Sequence, residues 1–341
     1  MPSPRPRSRA ALPALIAVLI AAIAAGGWAW SRHATSDRVS IALAGDFGAS
    51  DRTASVLQGM RAAGVDATFA VGDLSYGVTG EESSWCSFVT RHLGPDIPFE
   101  LLSGNHESND VNGSIDAFAR CLPNRLDGLV GTYGREYYLD LPRDKPVVRL
   151  VMISPQLTFP EGTWSYAVGS PRAAWTTAAI SSARAAGLWT VVGMHIPCLN
   201  AGTRSCEVGA DVLNLLVAAG ADLVVSGHEH TYQRTFPLAQ GADCPTLVPG
   251  TYNRRCVAST SETSRQGSGT TFVTVGTGGA DLYAVKTDDP EGPYFAAISG
   301  RNLRPTWGFL ALDIATDRLS ARFVPTAGDG FTDAFTVTRG T

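Results

Sequence analysis

Five short apolar runs, each closed by a polar motif, organise this chain of 341 residues. Val39–Ala44 leads to Asp46, Ala67–Val71 to Asp73, Phe99–Leu102 to Asn105, Trp189–Gly193 to His195, and Leu223–Val225 to Gly227 and His228. Runs of this kind read as buried strands. Ala54–Ala63, Ala173–Ala186 and Val208–Ala219 read as helices between them. The alternation predicts an α/β fold, a layered β-sandwich core flanked by helices. In such folds ligands gather beyond the carboxyl ends of the strands, which is where all five motifs fall. Two stretches depart from the pattern. Thr231–Gly269 is rich in Gly, Ser, Thr and Pro and reads as long loops. From Thr271 onward the chain turns β-rich, with strands expected at Thr271–Val275, Phe309–Ile314 and Leu319–Val324. No internal repeat and no second core are visible.

The motifs carry seven metal-binding side chains in chain order. Asp46 lies in Gly45-Asp46-Phe47-Gly48, and Asp73 and Tyr76 in Gly72-Asp73-Leu74-Ser75-Tyr76. Asn105 lies in Gly104-Asn105-His106-Glu107, His195 in Val192-Gly193-Met194-His195, and His228 and His230 in Gly227-His228-Glu229-His230. Each motif alone is common at strand ends. Together they hold four of the six histidines and all lie after apolar runs, which chance does not explain. Carboxylate, amide oxygen, imidazole and phenol suit Fe, Zn or Mn rather than Ca or a thiolate-bound metal. One aspartate would bridge two ions roughly 3.5–4 Å apart, as two-metal hydrolases require. A phenolate is a hard anionic donor and favours a trivalent ion.

The net charge of −4 and the absence of a basic cluster in the main part of the chain argue against a nucleic-acid partner. The N-terminus is different. Arg5, Arg7 and Arg9 precede an uncharged stretch, Ala10 to Trp30, long enough for a membrane anchor and carrying the small residues of a cleavable signal. Residues 1–37 are therefore expected to be a signal or anchor with a linker, and residues 38–341 the exported functional domain. The cysteines fit an oxidising compartment. There are six, Cys86, Cys121, Cys198, Cys206, Cys244 and Cys256, with no C-x-x-C pair. Sequential pairing is expected, because Cys198/Cys206 and Cys244/Cys256 each close a short loop.

The ordered set Asp-x-Gly, Gly-Asp-x-x-Tyr, Gly-Asn-His-Glu, Val-x-x-His and Gly-His-x-His resembles the calcineurin-like metallophosphoesterase superfamily. Tyr76, and the stretch Gly227 to Arg234, make the chain similar to purple acid phosphatases of the short form. The resemblance spans Val39 to Val337 and is strong around the motifs. It implies that Asp46, Tyr76 and His230 hold Fe³⁺, that Asn105, His195 and His228 hold Fe²⁺, Zn²⁺ or Mn²⁺, and that Asp73 bridges. It implies that His106 faces the substrate and protonates the leaving oxygen, with Glu107 orienting it. The implied activity is hydrolysis of phosphate monoesters by attack of a metal-bound hydroxide, with a phosphate ester as the partner and no protein partner. A phosphodiesterase of the same superfamily and a non-catalytic phosphate-binding surface protein are the rivals. One departure stands out. Family members often carry a further histidine after the Val-x-x-His motif, and Ile196 to Glu207 contains none. Asn200, Arg204 and Glu207 are the residues that could face substrate instead.

Overall fold

The computed structural model describes Met1 and residues 37–340. Residues 37–340 form one compact unit. The Ala10 to Trp30 run lies outside the described residues. Among those described, no helix is long and apolar enough to cross a membrane.

Two mixed sheets face each other. The first has seven strands. Edge to edge they are Thr263–Arg265, Asp333–Thr338, Arg318–Gly328, Thr306–Ala315, Arg38–Ala44, Ala67–Ala70 and Phe99–Glu100. The last three run parallel, with Ile41 opposite Ala67 and Thr68 opposite Phe99. The second sheet has eight strands. They are Phe295–Ser299, Tyr232–Thr235, Thr271–Val275, Leu223–Ser226, Trp189–Met194, Val148–Ile153, Glu136–Leu141 and Val130–Thr132. Its four central strands are parallel.

The strands form because both faces are covered. Ile41, Leu43, Phe69 and Val71 of the first sheet pack against Leu150, Met152, Val191, Val225 and Val273 of the second. Ala42 and Ala44 point outward with Val56, Leu57 and Met60 of the helix Asp51–Ala62. Val151, Val192 and Val224 belong to the same outer layer as Ile180, Leu213 and Leu216, from the helices Pro171–Ala185 and Ala210–Ala219. Burying each such side chain contributes about 1.5–3 kcal/mol. The helix ends are marked locally. Ser50 and Ser170 accept from Thr53 N and Ala173 N, Pro171 fills the first turn, and Gly220 closes its helix at φ 76°.

The layered sandwich matches the sequence expectation. Two features do not. Val148–Ile153, fully buried at the centre of the second sheet, was not among the expected strands. Tyr232–Thr235, expected to be loop, is a buried strand. Its polarity is neutralised in place. Arg234 donates to both oxygens of Asp333, at 2.6 and 2.8 Å, and to Glu262 at 2.6 Å. Gln233 accepts from Ala201 N and donates to Asn200 Oδ1, each at 2.8 Å. The cysteines pair in sequence order as expected: Cys86–Cys121, Cys198–Cys206 and Cys244–Cys256.

Candidate metal centre

The strand-end turns bring the seven side chains together by adopting backbone that L-residues avoid. Asp46, Asp73, Tyr76 and His228 have φ of 62°, 53°, 51° and 66°. Left-handed backbone at a non-glycine residue costs about 1–2 kcal/mol. It persists here because the turns are tied to one another: Asp46 N donates to Gly72 O, Phe47 N to Asp73 O and Gly227 N to His195 O. Strain concentrated on side chains that converge is a mark of a functional site. Glycine is required where these turns touch. A Cβ on Gly104 would lie 2.1 Å from Asp73 Oδ1, and one on Gly72 would lie 2.4 Å from His195 Nδ1.

The donors fall into two groups that share Asp73. On one side the Tyr76 hydroxyl lies 3.0 Å from Asp46 Oδ1, 3.1 Å from Asp73 Oδ2 and 3.0 Å from His230 Nε2. On the other, His195 Nε2 lies 3.2 Å from Asp73 Oδ1, 3.1 Å from Asn105 Oδ1 and 3.2 Å from His228 Nδ1. Asp73, His195 and His228 offer donor atoms within 4.8 Å of one another, and so do Asp46, Asp73 and His230. The far ring nitrogens are anchored: His195 Nδ1 meets Val71 O at 2.9 Å and His230 Nδ1 meets Asp281 O at 2.8 Å. Such outer partners fix the ring and its tautomer for metal binding.

Histidine and phenol protons balance the two carboxylates of the site. Burial acts to raise the Asp73 carboxyl, yet His195 and His106 beside it hold it well below the usual carboxylate range. Burial acts to lower His195, yet Asp73 pulls it up to about 9. His228, buried beside charged His195, is pushed down to about 2. Burial opposes protonation of His230 too, but Asp46 raises it. Burial, then Asp46 and Asp73, push the Tyr76 phenol well above its ordinary value. The ion-pair partners of Asp46 and Asp73 among the described residues are all histidines. Two buried carboxylates whose ion-pair partners among the described residues are histidines alone, facing an amide oxygen and a phenol, fit a pair of metal ions in chemistry and arrangement.

His106 sits at the mouth with 30% of its side chain exposed, Nε2 3.6 Å from Asp73 Oδ2 and its ring 4.7 Å from that of Tyr76. Its orienting partner is Asn112 rather than Glu107, a correction to the sequence reading. His106 Nδ1 meets Asn112 Oδ1 at 2.6 Å. Asn112 is fixed in turn by donating through Nδ2 to Gly77 O at 2.8 Å. Glu107 turns inward and is fully buried. It accepts from Leu74 N at 2.7 Å and Gly104 N at 2.9 Å, so it shapes the turn that carries Asp73. Burial, then Asp73, push its carboxyl up to about 8. The loop after His195 also resolves into roles. Asn200 is buried and braces the loop against Gly202 N and Gln233. Arg204 and Glu207 are half-exposed, and Glu207 Oε2 lies 3.4 Å from His228 Nε2. Tyr283, which no motif signalled, stacks on His230 with centroids 4.0 Å apart and planes 11° apart.

A two-sheet sandwich that gathers these donors on its strand-end turns has the build of a metal-dependent phosphoesterase. The family model described as calcineurin-like phosphoesterase matches residues 39–232, more than half of the chain, and the chain belongs to that family. Among curated relatives, it is 25% identical over 214 residues to purple acid phosphatase 18 of Arabidopsis thaliana, covering 61% of this chain and 47% of the relative. It is 29% identical over 213 residues to purple acid phosphatase 21 of the same plant, covering 59% and 46%. The chain thus spans about half the length of these relatives. Among solved structures, purple acid phosphatase PPD1 from yellow lupin seeds superposes with a TM-score of 0.65 at 17% identity, over 89% of this chain and 54% of that one. A dimetal phosphatase from Danio rerio superposes with a TM-score of 0.54 at 14% identity, over 88% and 98%. These likenesses establish the fold, and with the family match they make the chain a metallophosphoesterase similar to purple acid phosphatases.

Proposed function

We propose that this protein is an exported acid phosphatase that hydrolyses phosphate monoesters at a two-metal centre. The observation that carries the reading is the pair of donor groups sharing Asp73. Asp46, Tyr76 and His230 would hold Fe³⁺, and Asn105, His195 and His228 would hold Fe²⁺, Zn²⁺ or Mn²⁺, with Asp73 between them. The bound ions supply charge for the phosphate and acidify water at neutral or lower pH.

The chain's own residues do the rest. The strained turns fix the donors before substrate arrives, so little reorganisation is left for the reaction. Asn112 presents an acceptor oxygen to His106, which keeps the proton on Nδ1 and aims Nε2 at the mouth of the site. When His106 is doubly protonated, Nε2 carries the proton that the leaving alcohol needs. Export is supported by three disulfides, which persist in oxidising compartments, and by the basic, then apolar, N-terminal sequence.

The test is a parallel assay of 4-nitrophenyl phosphate and bis(4-nitrophenyl) phosphate, with metal analysis and a visible spectrum. The monoester should be hydrolysed much faster, by protein holding two metals and showing a tyrosinate–iron absorption band. Faster cleavage of the diester would replace the reading with a phosphodiesterase. Zinc or manganese without iron would remove the ferric assignment.

A further inference from the structure

We propose that a cleft between Arg204 and Arg301, with Tyr283 between them, receives a second phosphate of the substrate, so that the enzyme prefers bisphosphorylated monoesters. The inference rests on the phosphomonoesterase reading above. The cleft is joined to the site by Tyr283, whose ring lies on His230 and whose N–H donates to His230 O at 2.9 Å. Thr203, Arg204, Tyr283, Ala284 and Arg301 line a cavity of about 240 Å³. Tyr283 and Arg301 also line the next cavity, of about 470 Å³, which reaches Arg52 and Trp307.

The two arginines are prepared differently. Arg204 is held in place. Its backbone N–H donates to buried Glu229 at 3.1 Å, its Nη1 lies 3.3 Å from Glu207 Oε1 and its Nε lies 3.8 Å from Glu229 Oε1. Tyr283 lines the cavity beside it. The loop that carries it is pinned by Cys198–Cys206 and by Asn200 Nδ2 donating to Arg204 O at 3.1 Å. Arg301 is exposed and has no ion-pair partner among the described residues. Its backbone N–H is fixed to Tyr283 O at 2.8 Å. Arg52, farther along, is taken by Asp281 at 2.6 Å and lies over Trp307. The cleft therefore offers one oriented guanidinium, one uncompensated guanidinium and a phenol. Guanidinium groups bind phosphate through paired charge-assisted hydrogen bonds. Holding Arg204 in advance reduces the ordering cost of binding.

The experiment compares kcat/KM for fructose 1,6-bisphosphate and fructose 6-phosphate in the metal-loaded protein, by phosphate release. Wild type should favour the bisphosphate by about tenfold, the size of one charged hydrogen bond. Arg301→Ala should remove most of that preference, and Arg301→Lys should retain part of it. Equal kcat/KM for the two esters in wild type, or a preference unmoved in Arg301→Ala, would overturn the cleft while leaving the phosphatase reading intact. Hydrolysis of neither ester, with 4-nitrophenyl phosphate still cleaved, would overturn the cleft alone, and loss of that activity as well would overturn both.

Discussion

The two donor groups around Asp73 are built from different chemistry. Asp46, Tyr76 and His230 offer a carboxylate, a phenol and one imidazole. Asn105, His195 and His228 offer an amide and two imidazoles, all neutral donors once deprotonated. The first side accumulates negative charge and suits a smaller, more highly charged cation, and the second suits a divalent one. The sides also differ in the protons they hold. Tyr76 and His230 are both pushed up, so both keep protons at mildly acidic pH. Across from them His195 keeps a proton up to about 9 while His228, pushed down to about 2, keeps none. One fold therefore presents two pockets a few ångströms apart that no single ion would prefer equally.

Asp73 belongs to both, so its loss should be the largest effect. Asp73→Ala should empty both sides and lower activity by roughly 10³-fold or more. Elemental analysis that still finds two metals per chain would break the idea of a shared bridge. The proton difference gives the next test. Metal must displace these protons, so affinity rises with pH. Between about pH 5 and 6.5 the first side should release two protons and the second one, giving affinity slopes near 100-fold and tenfold per pH unit. Titration of the metal-free protein in buffers of differing ionisation heat counts them, and equal counts for the two sides would remove the contrast. Tyr76→Phe should then act on one side only. It should abolish the visible band and weaken the first ion by about 10–100-fold, with the second unchanged.

What the sequence made legible follows the same division. The donors were readable because each sits where an apolar run stops, and glycine marks the turns that need it, as at Gly72 and Gly104. Strands with a buried face and a polar end declare themselves in one dimension. Val148–Ile153 is equally apolar but ends at Ser154-Pro155, without a donor motif to draw attention to it. Tyr232–Thr235 is hidden for the opposite reason: its side chains look solvated, and partners distant in sequence explain their burial, Asp333 and Glu262 for Tyr232 and Arg234, and Asn200 for Gln233. Tyr283 and Arg301 leave no local signal, because what marks them is spatial: Tyr283 stacks on His230, and Arg301 lines the same cavity as Tyr283. Glu107 is adjacent to His106 in the sequence, but neighbours on a tight turn point apart, and Glu107 faces Leu74 N and Gly104 N instead.

Asn112, which replaces Glu107 in that role, gives the smallest and most local prediction. His106 lies over the Tyr76 side, whereas the loop after His195 presents Glu207 to His228, with Arg204 beside it. Removing the Asn112 amide frees Nδ1 to lose its preferred partner and lets the ring turn. The donors below do not depend on it: Asn112 contacts none of Asp46, Asp73, Asn105, His195, His228 or His230 through a hydrogen bond. Asn112→Ala should therefore leave both metals and the visible band in place. It should lower kcat by about tenfold, within the range for loss of a partner that orients an active-site histidine. The fall should be larger for esters with poor leaving groups, which need the proton, than for 4-nitrophenyl phosphate, which does not. Equal losses on both kinds of ester would show that His106 binds phosphate without delivering a proton, and loss of metal would show that Asn112 serves the donor site itself.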